Sequence, residues 1–92
     1  TEGTTRYRRA QLLMAQGHDD AALADLEMVL LVPDTTPPVH VAAACLDAAR
    51  LHEARHDTTR AIELYHLAHD AFGADQRTVE SAMRALTRLG AL

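Results

Sequence analysis

Residues 56–73 read HDTTRAIELYHLAHDAFG, and the reading of this stretch decides the fold. Asp57 is a residue type whose carboxylate accepts from the free amides of a first helical turn, and Gly73 suits the left-handed conformation just past a helix end. Between those signals Ala61, Ile62, Tyr65 and Ala68 recur at helical spacing on one side. A helix with one apolar side has to lay that side against something. If the partner is a second copy of the same unit within this chain, the architecture follows, and so does a role in holding another protein.

Working outward, residues 17–26 (GHDDAALADL) placed over residues 56–65 (HDTTRAIELY) align Ala22 with Ala61, Leu23 with Ile62 and Leu26 with Tyr65. The match extends to both sides, with Ala10 over Ala49 and Val29 over Ala68. A small residue at matched places on both helices of a hairpin lets the helices approach closely, while the larger Leu, Ile or Tyr beside it fills the space between hairpins. The pattern predicts a stacked helical repeat in which the helix from Asp57 lies against its own repeat partner. The expected core is Ala10, Leu13, Ala22, Leu23, Leu26, Leu30, Cys45, Ala49, Ala61, Ile62, Tyr65 and Ala68.

Punctuation divides the chain into about five helices. The first is expected over residues 5–16, stopping at Gly17; the second begins near His18 or Asp19 and runs to Pro33. The loop VPDTTPPVH follows, with Thr36 as N-cap and Pro37 at the first helical position of a third helix that reaches about Arg55. Asp57 caps a fourth that ends at Gly73, and Asp75 caps a fifth that runs to about Leu89 before Gly90. Short connections make neighbouring helices antiparallel hairpins. One domain is expected, all-α, with a first repeat over 5–32, a second over 37–73 and a half repeat or cap over 75–90.

Composition agrees. The chain has 92 residues, 48% apolar and 24% charged, rich in Ala with few aromatics, which favours helix over sheet. Its net charge is -4 and its basic residues are all Arg, spread out except for Arg6, Arg8 and Arg9, so no basic stripe points to nucleic acid. Cys45 is the only cysteine; it cannot form an internal disulfide and reads as a buried, inert thiol. No apolar run approaches the roughly 20 residues that span a bilayer, and no charged-then-apolar leader opens the chain, so no membrane contact by this segment and a cytoplasmic location are expected, with a signal or anchor outside the segment left open. The chain starts TEGTTR without Met and reads as a processed protein or a domain cut from a longer one. Arg without Lys, with abundant Ala, fits a GC-rich coding sequence and hence a bacterial source.

The aligned residues resemble the tetratricopeptide repeat, whose pattern has a small residue in helix A, Gly at the turn, then Ala, a large apolar residue and an aromatic in helix B. The first unit reads Ala10, Gly17, Ala22, Leu23, Leu26, and the second Ala49, His56, Ala61, Ile62, Tyr65. The resemblance covers about residues 7–89. It departs from the family in a 39-residue first spacing, from Gly17 to His56, against a period of about 34, the loop VPDTTPPVH supplying the excess. Residues 71–86 also resemble the longer kinesin-light-chain variety of the repeat, leaving two registers for the third unit, one with Gly90 at its turn and one a few residues later.

The resemblance implies a short right-handed solenoid with the A helices on the concave side. It places Tyr7, Gln11 and Met14 of the first A helix, and Leu46, Arg50 and Glu53 of the second, toward a groove for a peptide or partner helix. Family members that grip a C-terminal carboxylate use Lys and Asn at such positions; Leu46 and a lone Arg50 stand here instead, so that ligand is not expected. The structural alternative is that Arg50 and Glu53 are solvated surface residues. Arg50, with five donors in a fixed fork, suits an acidic segment of a partner.

The histidines carry the only reading that involves a metal. His52 and His56 are four apart, and His66 and His69 three apart, a spacing that can bring imidazoles together for Zn or Ni. His56 falls at the turn and His66 points to solvent between Tyr65 and Leu67, so a four-ligand site would need faces that the packing separates; His52, His56 and His69 stay as minor metal candidates and no cofactor is expected. There is no Gly-rich phosphate loop, no Ser or Cys in a nucleophile motif and no carboxylate pair at a predictable cleft. Asp19, Asp20, Asp25 and Glu27 read as the solvated face and N-terminal charge of a helix. The expectation is a protein-interaction scaffold, not an enzyme; the alternative is a regulatory or sensory domain of a larger bacterial protein that answers to a small ligand or metal. A weak homodimer is expected through the first or fifth helix, the latter docking on the fourth through Val79, Met83, Leu86 and Leu89.

Overall fold

The computed structural model describes residues 2–92 and is all-helical over them. Its helices are α1 (Glu2–Ala15), α2 (Asp19–Leu31), α3 (Pro38–Ala54), α4 (Thr58–Asp70) and α5 (Gln76–Arg88), with a 3-10 turn at Pro33–Thr35 between α2 and α3.

Three of the helix ends use one device. At the C-termini of α1, α3 and α5 the backbone turns left-handed at Gly17, His56 and Gly90, with φ of 79°, 63° and 69°. The next amide in each case reaches back over the last turn: His18 donates to Leu13 at 2.8 Å, Asp57 to His52 at 2.9 Å and Ala91 to Leu86 at 2.8 Å. The left-handed residue's own amide donates to Met14, Glu53 and Thr87 respectively. This pair of bonds satisfies carbonyls that would otherwise be orphaned and sends the chain back on itself. Gly90 therefore takes the conformation that Gly17 and His56 take, 34 residues after His56. Asp57 and Asp75 cap α4 and α5, accepting from the amides of Arg60 at 3.3 Å and Thr78 at 2.8 Å.

The loop before α3 departs from expectation. Thr36 is not the N-cap: α3 starts at Pro38, Pro37 stands in the capping place with φ -54° and ψ 139°, and Thr36 is extended, its Oγ1 buried without a partner. Two consecutive prolines explain this, because the residue before each is held out of the helical region. Thr36 is buried instead against Gly3, whose missing Cβ would fall 1.6 Å from Thr36 Oγ1. α4 ends at Asp70, short of Gly73; Ala71 is extended, and Gly73, with φ 81°, passes so close to Pro38 that a Cβ there would stand 2.7 Å from the proline's.

α1 packs on α2, α3 on α4 and α4 on α5, while α3 also touches α1 and α5, so the odd-numbered helices adjoin one another. Ala10, Ala22, Leu26, Ala49, Ala61 and Ala68 are fully buried, and Leu23, Cys45 and Tyr65 nearly so. Leu13, Leu30 and Ile62 are only partly buried at the margin of that core, and Val29, Leu64 and Leu86 belong to it in full. Burial pushes the Cys45 thiol up to about 11, which keeps it protonated.

α5 docks partly on the expected side, with Leu86 fully buried and Leu89 packed against the core, but Met83 of the expected stripe is not part of the contact. Thr78, Ala82, Ala85 and Leu86 are its buried residues, whereas Met83 is 44% exposed. Small side chains let α5 settle close against α3 and α4, and that rotation turns Met83 outward. Met83 stands 34 residues after Ala49, itself 39 after Ala10; both alanines are covered by the helix that follows their own, and no helix among the described residues covers Met83. Ala49→Leu is therefore expected to overpack the α3–α4 contact and cost roughly 1–3 kcal/mol, while Met83→Leu at the uncovered equivalent stays within about 0.5 kcal/mol. Chemical denaturation of the two variants beside the parent checks this.

Candidate partner-binding cleft

Tyr7 and Gln11 on α1, Leu46 and Arg50 on α3, and Glu80 and Arg84 on α5 line one cleft of about 510 Å³, with Asp47, Asp75, Arg77 and Thr78 completing its polar wall. Four of the six groove residues expected from sequence thus come together. Leu46 is 7% exposed and forms floor rather than rim. Glu53 lies with Arg50, Tyr65, Arg84 and Arg88 in an adjoining cleft of about 650 Å³, and Met14 packs against the core instead.

Each helix presents these side chains for a local reason. α3 is apolar on nearly every side because α1, α2, α4 and α5 surround it, so its buried run continues through Ala44, Cys45, Leu46, Asp47, Ala48 and Ala49. Asp47 is the one acid in that run. Its Oδ2 accepts from Gln11 Nε2 at 2.6 Å, and Arg50 Nη1 stands 3.6 Å from its Oδ1, an ion pair without a hydrogen bond. Burial raises the Asp47 carboxyl above the usual range, outweighing Gln11 and Arg50, which pull it down. The Tyr7 ring is stacked on His40 with centroids 5.1 Å apart, and its hydroxyl is raised by burial first and then by Asp47 and Asp75. Three oxygen groups from α1, α3 and the cap of α5 therefore share one electrostatic neighbourhood.

Glu53 is neither a free groove residue nor a solvated one. It accepts from the Tyr65 hydroxyl at 2.7 Å and from Arg88 at 2.5 and 3.0 Å, joining α3, α4 and α5. Arg88 and then Tyr65 hold its carboxyl below the ordinary range, while burial and Glu53 push the Tyr65 phenol up to about 12. Arg50 keeps an exposed guanidinium whose one ion pair among the described residues is that with Asp47.

The histidines go to separate places. His52 reaches Glu27 of α2 at 2.9 Å and Asp57 at 3.7 Å, His56 forms the left-handed turn, and His69 pairs with its neighbour Asp70 at 2.7 Å. Among the described residues no group of three His, Cys, Asp or Glu side chains is placed to hold a metal ion. No helix among them is long and apolar enough to cross a membrane. Asp25 and Glu27 are also not the solvated charges expected: Asp25 is 5% exposed and takes Arg9 through both oxygens at 2.6 and 2.5 Å, and Glu27 meets His52 and, at 3.8 Å, Arg60.

Sequence reasoning missed Asp47 and Arg84. A single acid between Leu46 and Ala48 was a visible mark of a buried polar role, and Arg84 stands 34 residues after Arg50. Comparison with family models, with curated proteins and with solved structures finds no match to this chain.

A carboxyl raised by burial favours its neutral form, so ionised Asp47 subtracts from stability above its folded-state value, and the loss is recovered as the pH falls toward the unfolded value. Asp47→Asn is expected to stabilise the fold at neutral pH by on the order of 1 kcal/mol and so to raise its melting temperature, with the gain shrinking in acid. Paired melts of parent and variant across that range check it; a less stable variant at neutral pH means that Gln11 and Arg50 outweigh the cost of burial.

Proposed function

We propose that this chain is a protein-interaction domain, related in design to tetratricopeptide repeats, that takes a peptide or a partner helix in the groove formed by α1, α3 and α5. One observation carries the reading: side chains at equivalent repeat positions, Tyr7, Leu46 and Glu80 in one set and Gln11, Arg50 and Arg84 in the other, line a single cleft. A repeat that places its variable residues side by side on one face builds an extended binding surface out of units that are otherwise packing. The turn shared by Gly17, His56 and Gly90 supports the same register. The lining supplies charge, hydrogen-bond donors and acceptors and one aromatic ring, which is the equipment of recognition.

Within the groove Tyr7 and Arg50 are the anchors, since aromatic residues and Arg dominate interface energies while rim charges contribute little. Arg50 and Arg84, close to an Arg88 already neutralised by Glu53, make the second cleft the place for an acidic side chain of the partner. A random peptide library selected on the domain supplies the test ligand. Arg50→Ala and Tyr7→Ala are each expected to weaken the selected peptide by about 1–3 kcal/mol, and Glu63→Ala and His66→Ala on the outer side of α4 to leave it unchanged. The reverse pattern, read by calorimetric titration, moves the binding surface to the even-numbered helices.

A further inference from the structure

The solvent side of α2 is apolar. Ala21, Ala24, Met28 and Leu31 follow one another at steps of three, four and three residues, so they form one stripe along the helix, and all four are exposed, Met28 by 40% and Leu31 by 73%. Val32, 48% exposed, extends the stripe past the helix end. The charges of α2 are engaged elsewhere: Asp25 is turned in to Arg9, Glu27 meets His52 and Arg60, and Asp20 has Arg55 at 3.7 Å. The fold does not require this hydrocarbon. The positions 39 residues later, on α4, are Arg60, Glu63, Leu67 and Asp70, and Arg60 and Glu63 pair there at 3.1 Å. The same place on the two hairpins is thus charged on α4 and left apolar on α2.

We propose that this stripe is the seam of a homodimer, in which α2 of one copy packs antiparallel on α2 of a second about a two-fold axis near residue 26. Steps of three and four residues are those of a seam between two helices. The order of sizes along the stripe selects the partner. It begins with two alanines and ends with Met28 and Leu31, so turned end for end it matches itself: Ala21 comes opposite Leu31 and Ala24 opposite Met28, a small side chain facing a large one at each place. A parallel pairing sets Leu31 against Leu31 and leaves the alanines facing a gap. The interface is isologous and closes at two copies. The stripe carries no charge, so pairing it takes no ion out of water. None of its four residues lines either cleft, so the groove of each copy stays open, and the dimer stands independently of the groove reading. The self-association expected at α1 or α5 is placed on α2 instead. One helix face from each copy falls below the roughly 1,200 Å² of a standard interface, which makes the dimer a weak one.

Sedimentation equilibrium of the full chain is the test, with a dissociation constant expected on the order of 0.1–1 mM. Met28→Glu and Leu31→Glu change exposed residues, so the helical circular dichroism of the chain is expected to persist while each variant weakens the dimer about tenfold or more. Leu67→Glu, the same change at the equivalent place on α4, is expected to leave the dimer unaltered. A mixture of isotope-labelled and unlabelled chains reads the orientation, with methyl NOEs between copies expected from Ala21 to Leu31 and from Ala24 to Met28. A chain that stays monomeric at millimolar concentration overturns the proposal. So does a dimer that survives both glutamates, one that is lost with Leu67→Glu, or one whose contacts between copies join Leu31 to Leu31.

Discussion

The arrangement depends on a backbone constraint at three helix ends. Where α1, α3 and α5 stop, one residue turns left-handed and two amides reach back to the last turn. After α1 and α3 that turn leaves only a short connection, so α2 and α4 must fold back on the helices they follow. Each hairpin buries its alanines in the seam, and the odd-numbered helices are left side by side. Gly adopts the turn without cost at Gly17 and Gly90; His56 does so with a side chain, a conformation that non-glycine residues seldom take. The amide of Asp57 bonding back to His52, together with the cap that Asp57 gives to α4, holds it there.

On that frame, side chains that look solvated in the sequence lock the hairpins. Arg9 and Asp25 join α1 to α2 through a two-pronged ion pair, while the positions 39 residues later are Ala48 and Leu64, both fully buried. The two hairpins thus fill the same place with charge in one and hydrocarbon in the other. Arg9 holds Asp25 below the ordinary carboxylate range, so its contribution is present above the unfolded value and is lost as the pH falls through the folded one. Glu53 does the corresponding work between hairpins, bound by Tyr65 and Arg88, and Glu27 links α2 to His52 and Arg60. A domain of this size has a small apolar core, and such clamps fix which way its hairpins lie.

Much of the helical order was legible from the chain because it rests on local rules: Gly17 and Gly90 as stops, Asp57 and Asp75 as caps, and the Ala10/Ala49 and Ala22/Ala61 pairs as seams. What was not legible depends on contacts distant in sequence. Thr36 has the chemistry of a cap, but the prolines after it and Gly3 on α1 take it elsewhere. Val79 and Met83 are bulky apolar residues of α5, yet Ala82 and Ala85 face inward beside Leu86, because closeness to α3 and α4 favours small side chains there. For the cleft, Tyr7, Gln11, Leu46 and Arg50 follow from repeat position, whereas the commitment of Glu53 to Tyr65 and Arg88 follows only from three helices meeting. Asp25 and Glu27 misled for the same reason: periodicity places a charge on a face and does not say what stands opposite.

The central claim is that the face built by α1, α3 and α5 is the binding surface of this chain. The most direct measurement is a crystal structure of the domain with a library-selected peptide. The account predicts a peptide seated between Tyr7, Arg50 and Arg84, with Asp47 beneath it. A peptide lying instead across the outer side of α4, on the exposed Leu67 with Glu63 and His66, would contradict it.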